Sequence, residues 1–462
     1  MKSLEELEFH NTYNELGLNF QSPWLPEKAE EPEVVFVSTD VARLLDLDAS
    51  ECTRPEFVEF VSGNRLWPTS KPLVSLYAGH RGAELDKRLG DGRFILVGEV
   101  RADSGTKWDL GLKGGGPTPH SRGRDGCLGV GEAVRELILG ETLDALGVPA
   151  TRTLAIVRTG GEVERDGVRE PAVRLFRLAS THVRFGTFQY FYHLLQPGWV
   201  RNLANHTIRT LDPDIPLDDD RFVALTARVV RRTAELAAAW RAVGFAHGAF
   251  HTDNASVAGV TLDPKWGGFV EALDPDFAPD PNDSEGRFRF GSQADIAKWN
   301  LKRFAESFLD FVKPDAAMAE IDRFDDAYAA ASRTRFRRKL GLESAEDSVV
   351  DELVVSLEST LASARIDWTT FFHELARFRP NQGMREGGAL DPWLESYERA
   401  LSAEKRSDEA RVAAMGRVNP EFVPRRAAID SAIARARAGD WSEVAEVVRR
   451  GRGIAGVGAA SG

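Results

Sequence analysis

Near residue 180 the hydrophobic pattern of the chain changes period. Before that point FILVGEV (94–100) is apolar and β-prone, and WDLGLKGGG (108–116) alternates before ending in three glycines. Both read as strands joined by turns. Residues 151–159 and 171–179 read as two further strands around the turn-like segment GGEVERDG. Between the two pairs, Gly131 to Leu146 carries Val134, Leu137, Ile138 and Leu143 on one helical face, and Gly147-Val148-Pro149 stops it. Residues 1–75 mix short helical patterns with Pro-rich turns such as Ser22-Pro23-Trp24 and Trp67-Pro68. Later, 220–243 and 294–312 read as long amphipathic helices, and 316–415 place Ala, Leu and Phe among charges at helical spacing. One loop-rich stretch, 245–290, interrupts them, and loops of that length usually carry function. The pattern predicts an α+β chain: a sheet-containing lobe with one key helix over 1–182, a helical lobe over 183–452, and a flexible tail over 453–462.

The length of 462 residues suffices for two cores. A net charge of −12 argues against a broad basic surface for nucleic acid, though not against a local basic pocket. No apolar run reaches the ~18 residues of a membrane span, and the acidic start MKSLEELEFHNTYNEL lacks the basic and apolar segments of a secretory signal. Cys52 and Cys127 form no Cys-x-x-Cys pair, so the sequence gives no sign of a thiolate metal site or a disulfide framework. A reducing, cytoplasmic compartment is the expectation.

Six segments bear chemistry. In LGDGR (89–93), Gly90 and Gly92 flank Asp91 ahead of Arg93, forming either a phosphate-cradling turn or an Asp-Gly hairpin. Lys113 ends a strand before three glycines, where it either reaches a phosphate or stands on the surface. Glu136 follows on the helix, either pairing with that lysine or solvated. The loop SRGRDGCLG (121–129), with Asp125-Gly126 at its centre, either covers a nucleotide or is plain loop. Arg177 and Arg184 suit a polyphosphate clamp, or else pair with acids and bridge the two halves of the chain. Residues 245–274 hold His247, Gly248, Asp253-Asn254 and, after an apolar run, Asp263. Kinases use an Asp as base and an Asn and a second Asp on the metal. By that logic Asp253 accepts a hydroxyl proton while Asn254 and Asp263 offer Mg²⁺ two hard oxygens; the alternative is a turn-rich loop capped by Asx side chains. Kinases leave about four residues between that Asp and Asn, whereas Asp253 and Asn254 are adjacent. The succession of glycine turn, strand lysine, helix glutamate, Asp-Asn and Asp is that of a two-lobed phosphotransferase. It requires Lys113 and Asp263 to share one cavity.

The segments YAGH (77–80), LGDGR (89–93), LKGGGPTPHSR (112–122), VREL (134–137), LGVPATRTLA (146–155), STHVRFGTF (180–188), HGAFHTDN (247–254), WNLKRFA (299–305) and NPEFVPR (419–425) together resemble the selenoprotein O–type protein adenylyltransferases, in that family's order. The resemblance implies a bilobal protein-kinase-like fold and transfer of AMP from ATP to hydroxyl side chains of proteins, with Mg²⁺ or Mn²⁺. Modification of the enzyme itself is part of that expectation. It also implies a nucleotide flipped relative to a kinase, outer phosphates deep and α-phosphate toward the acceptor. By motif, Gly90, Gly92, Arg93, Lys113, Asp125, Gly126, Arg177, Arg184 and Asp263 bind nucleotide; Glu136 orients Lys113; Asp253 is the proton acceptor; Asn254 and Asp263 hold the metal. The chain departs from the family at Arg81-Gly82-Ala83, at Cys127, at His251 and at Asp263-Pro264-Lys265-Trp266, where Lys265 bears on metal affinity. It has no cysteine after Cys127, so redox control through a C-terminal cysteine is not expected. An ordinary kinase-type phosphotransferase and a catalytically inactive nucleotide-binding scaffold are the competing readings.

Overall fold

The computed structural model describes residues 1–81, 84–165, 167–379 and 388–453. The fold is α+β, with one nine-stranded antiparallel sheet early in the chain and helices dominating the rest. The strands run in the order Gln21–Pro23, Leu73–Ser75, Phe94–Arg101, Lys107–Lys113, Val168–Ala179, Arg152–Arg165, Glu33–Val37. Phe9–His10 pairs with Phe94–Arg101, and Leu128–Gly129 with Val168–Ala179.

Three sequence expectations change. Residues 1–75 contribute four strands of the sheet, although short helices and turns were expected throughout. These strands are two to five residues long, too short to show a period, and distant partners define them. GGEVERDG is not simply a turn, because Glu162–Arg165 pairs with Val168–Pro171; Gly160-Gly161 falls at a register shift instead. The helix expected over 294–312 spans Gln293–Glu306, and turns lead from it to a new helix, Pro314–Asp322, with proline in its first turn. The tail expected over 453–462 lies, apart from Gly453, outside the described residues.

The register of the sheet aims the charged side chains. Lys113 lies opposite Phe94 and Leu175, while Gly111 lies opposite Arg177. Side chains alternate along a strand, so Lys113 and Arg177 emerge on one face. A Cβ on Gly111 would overlap the Phe94 ring. Glycine there makes room for the ring, and the Arg177 guanidinium lies 4.7 Å from its centroid. The other face carries Leu110, Leu112, Phe176 and Leu178, packed against Leu4, Phe57 and Phe60.

Helix Val130–Ala145 buries Val134, Leu137 and Ile138 in the main core. Helices Arg426–Arg437 and Ser442–Arg452 pack against it. The 23-residue helix Arg221–Val243 precedes the long loop, and Trp240 Nε1 donates to Thr261 Oγ1 at 3.0 Å, fixing the loop to the helix. Among the described residues no helix is long and apolar enough to cross a membrane. Cys52 and Cys127 are free thiols.

Candidate active site

Lys113 closes its strand at 4% exposure, and Glu136 lies beneath it on helix Val130–Ala145 at 1%. Lys113 Nζ donates to Glu136 Oε2 at 2.5 Å and also to Asp263 Oδ1. A lysine of the sheet and a carboxylate from the loop beyond the long helix therefore meet directly. Arg177 joins them, donating through Nη1 to Glu136 Oε1 and, at 2.8 Å, to Asp263 Oδ1. Arg184, at the N-cap of helix Phe185–His193, donates through Nη1 to the Asp253 carbonyl at 2.5 Å and to Asp263 Oδ2 at 3.3 Å. Its guanidinium lies 4.8 Å from the Tyr77 ring centroid, and Nη2 is 3.9 Å from Asp91 Oδ1.

Electrostatics decides the protonation of this cluster. Burial pushes the Asp263 carboxyl up, but Arg177, Lys113 and Arg184 outweigh it and hold the group well below the usual carboxylate range. Glu136 follows the same balance, burial being overcome by Lys113 and Arg177. Asp263 occupies the left-handed backbone region at φ +52°, which for a residue with a Cβ costs ~1 kcal/mol or more. Burial pushes the His247 imidazole down to about 4, and its Nε2 donates to the Leu262 carbonyl at 3.0 Å, bracing the residue before Asp263.

Asp253 is 6% exposed. A Cβ on Gly79 would lie 2.6 Å from Asp253 Oδ1, so the YAGH segment places a glycine where that carboxylate needs room. Next to it, His80 N donates to Thr252 Oγ1 at 3.2 Å. Asn254 Nδ2 donates to the Ala249 carbonyl at 2.8 Å, which turns Oδ1 toward Arg184 Nη1 at 3.5 Å. Asn254 Oδ1 and Asp263 Oδ2 thus converge on one cationic nitrogen. Two hard oxygens around a positive charge fit Mg²⁺ or Mn²⁺, which keep water and phosphate oxygens as further ligands. Among the described residues no group of three or more His, Cys, Asp or Glu forms a metal cage from protein alone.

The other expected nucleotide residues make their own pairings outside the Lys113–Glu136–Asp263 hydrogen bonds, although Arg93 still feels the charges of Asp263 and Glu136. Arg93 pairs with Glu132, Nη1 to Oε2 at 2.5 Å, and Lys265 donates to the other oxygen of Glu132. Burial raises the Glu132 carboxyl, yet Lys265 and Arg93 hold it well below the usual range. Asp125 pairs with Arg165 at 2.7 and 2.9 Å, and that hydrogen bonding lowers its carboxyl. Gly126, at φ +66°, packs so closely on the Gly116 carbonyl that a Cβ would overlap it. In the Gly90 to Gly92 turn, the amides of Gly90 and Asp91 donate to the carbonyls of Tyr77 and Ser75 at 3.2 and 3.0 Å, so the expected exposed cradle is largely occupied by protein. Asp91, 2% exposed, accepts from Ser75 N at 2.9 Å rather than closing a hairpin.

Three members of the site escaped the sequence reading: Asp91 beside Arg184, Glu132, and Lys265 as its partner. Glu132 had a signal, since it precedes Glu136 by four residues and so shares its helix face.

Residues 3–452 match the family described as Protein adenylyltransferase SelO. The protein nucleotidyltransferase YdiU of Myxococcus xanthus (strain DK1622) is 41% identical over 455 residues, covering 96% of this chain and 92% of the relative. The protein of the same name from Thiobacillus denitrificans (strain ATCC 25259 / T1) is 37% identical over 459 residues, covering 97% and 93%. That of Pseudomonas entomophila (strain L48) is 36% identical over 451 residues, covering 96% and 92%. With its motifs in order and nearly its whole length matched, the chain belongs to the protein adenylyltransferase SelO family.

Proposed function

We propose that this enzyme transfers AMP from ATP to Ser, Thr or Tyr hydroxyls of proteins, itself included, in a protein-kinase-like cleft between a sheet-bearing lobe, 1–182, and a helical lobe, 183–452. The observation that carries the reading is the buried junction of Lys113, Glu136, Arg177, Arg184 and Asp263. Three cations in one buried place suit a polyphosphate held tail-inward, because charge-assisted contacts strengthen away from water. The acceptor oxygen bonds to the α-phosphorus while the bond from that phosphorus to the α–β bridging oxygen breaks. Pyrophosphate leaves onto Lys113, Arg177 and Arg184, and the hydroxyl proton passes to the Asp253 carboxylate. Glu136 keeps Lys113 aimed. Gly90 and Gly92 shape the turn that presents Arg93 rather than offering a full amide cradle, and Arg93, Asp125 and Gly126 complete the nucleotide site. Asn254 and Asp263 would hold Mg²⁺ or Mn²⁺, whose charge neutralises phosphate oxygens.

A kinase-type transfer would use the same Lys113–Glu136 pair but place the γ-phosphate at the acceptor. The enzyme incubated with Mg²⁺ or Mn²⁺ and ATP labelled at the α or the γ position separates the two. The expected result is protein labelled from the α position only, with an intact-mass gain of one AMP. Label transferred from the γ position alone would overturn the reading.

A further inference from the structure

Helix Val130–Ala145 presents two glutamates on one face, and each bridges two cations. Glu136 takes Lys113 and Arg177; Glu132, one turn earlier, takes Arg93 and Lys265. Their surroundings differ. The Glu136 side chain is 1% exposed, whereas that of Glu132 is 23% exposed and that of Arg93 30%. Lys265 is buried, its ammonium 4.7 Å from the Trp266 ring centroid. Arg93 reaches both Glu132 oxygens, Nη1 to Oε2 at 2.5 Å and Nη2 to Oε1 at 3.4 Å, and Lys265 shares Oε1; a carboxylate held by a guanidinium fork and an ammonium makes the contacts a phosphate group makes. Its exposure gives Glu132 a route to water that Glu136 lacks.

We propose that Glu132 is a built-in stand-in for an outer phosphate of ATP: on nucleotide binding a phosphate takes over Arg93 and Lys265, and Glu132 turns to solvent. Lys265 is then a phosphate-binding residue that selects nucleoside triphosphate over monophosphate. Glu132 is the internal competitor that sets the affinity. The proposal rests on the site being an ATP site.

Calorimetric titration of ATP and of AMP, each with Mg²⁺, into the full-length protein tests it. Lys265→Met is expected to weaken ATP binding about tenfold while leaving AMP within about twofold, and Lys265→Arg to keep most of the affinity. Glu132→Gln is expected to tighten ATP several-fold, because the competitor loses its charge. If Glu132 is instead a fixed strut for Arg93, Glu132→Gln weakens ATP, which overturns the proposal. Equal loss for ATP and AMP in Lys265→Met, or no loss for either, overturns it too. If Lys265→Met does not fold, the sign of the Glu132→Gln effect decides. Lys113→Met serves as the control on the underlying reading: unchanged ATP affinity there would sink the ATP site itself, whatever Lys265 does.

Discussion

Asp263 holds an unfavourable backbone conformation, φ +52°, with a carboxylate that receives Lys113, Arg177 and Arg184. Asparagine tolerates the left-handed region better than most residues, so Asp263→Asn removes the charge and keeps the turn. Single-turnover kinetics should show transfer slowed by ~100-fold or more, with metal-dependent ATP binding lost. The melting temperature should also drop, since three buried cations each lose one partner, at a total cost of roughly 3 kcal/mol. A wild-type rate in that variant would remove Asp263 from the chemistry. At this scale Lys113, Glu136 and Asp263 were legible, because their order along the chain marks them and the fold brings them into contact. Asp91, Glu132 and the Glu132–Lys265 pair were not. A charged residue read alone is indistinguishable from a solvated one, and only sheet register and helix docking bury it against a partner.

At the scale of elements, helix Val130–Ala145 carries both bridging glutamates, and the C-terminal helices brace it. Arg437 Nε reaches the buried Glu170 Oε2 at 2.5 Å, and Glu170 Oε2 accepts from Gly131 N at 3.2 Å, tying helix, strand and C-terminus together. Helix Ser442–Arg452 approaches so closely that a Cβ on Gly451 would overlap Thr142 Oγ1. Glycine within a helix ordinarily costs ~1 kcal/mol relative to alanine. Here the close approach reverses the sign: Gly451→Ala should destabilise by roughly 1–2 kcal/mol and raise the KM for ATP by shifting the Glu136 helix. Among the described residues Thr142 Oγ1 has no hydrogen-bond partner, so Thr142→Ala removes the clash at little loss and should restore both quantities. An unaffected single variant, or a double variant that is no better, breaks this link between helix packing and nucleotide affinity. The helix itself was readable to within one residue, from its apolar stripe and the Gly147 stop. The strands of residues 1–75 were not, because pairing such as Phe9 with Val100 is a long-range fact that no local period encodes.

Across the whole molecule, a net charge of −12 argues against a broad basic surface but conceals the cationic cluster, because composition does not record where charges meet. The same burial governs the response of stability to pH. Asp109, Glu132, Glu136 and Asp263 are all held below their ordinary values, so their contribution is complete above ~pH 5 and is lost progressively as pH falls below that. Lys339 acts in the opposite sense. It is 5% exposed, with its ammonium 3.9 Å from the Phe372 ring centroid, and burial pushes it down to about 7. In the unfolded chain it titrates near ~10.4. Below about pH 7 the ammonium is charged in both states, and the folded form bears the full cost of desolvating it. Between about pH 7 and ~10.4 the unfolded chain binds the extra proton, so stability rises with pH. Lys265, pushed down to about 8 chiefly by burial, adds a slope of the same sign, so the comparison must be with a variant at Lys339 alone. Lys339→Met removes the cost and should stabilise the fold by roughly 2–4 kcal/mol near neutrality. Urea unfolding should show that advantage shrinking by roughly 2 kcal/mol between about pH 7.5 and about 9.5, a window in which carboxylates and buried histidines no longer titrate. An advantage that stays constant across the window would mean that Lys339 keeps its proton on folding and that its burial does not shape the stability of the molecule.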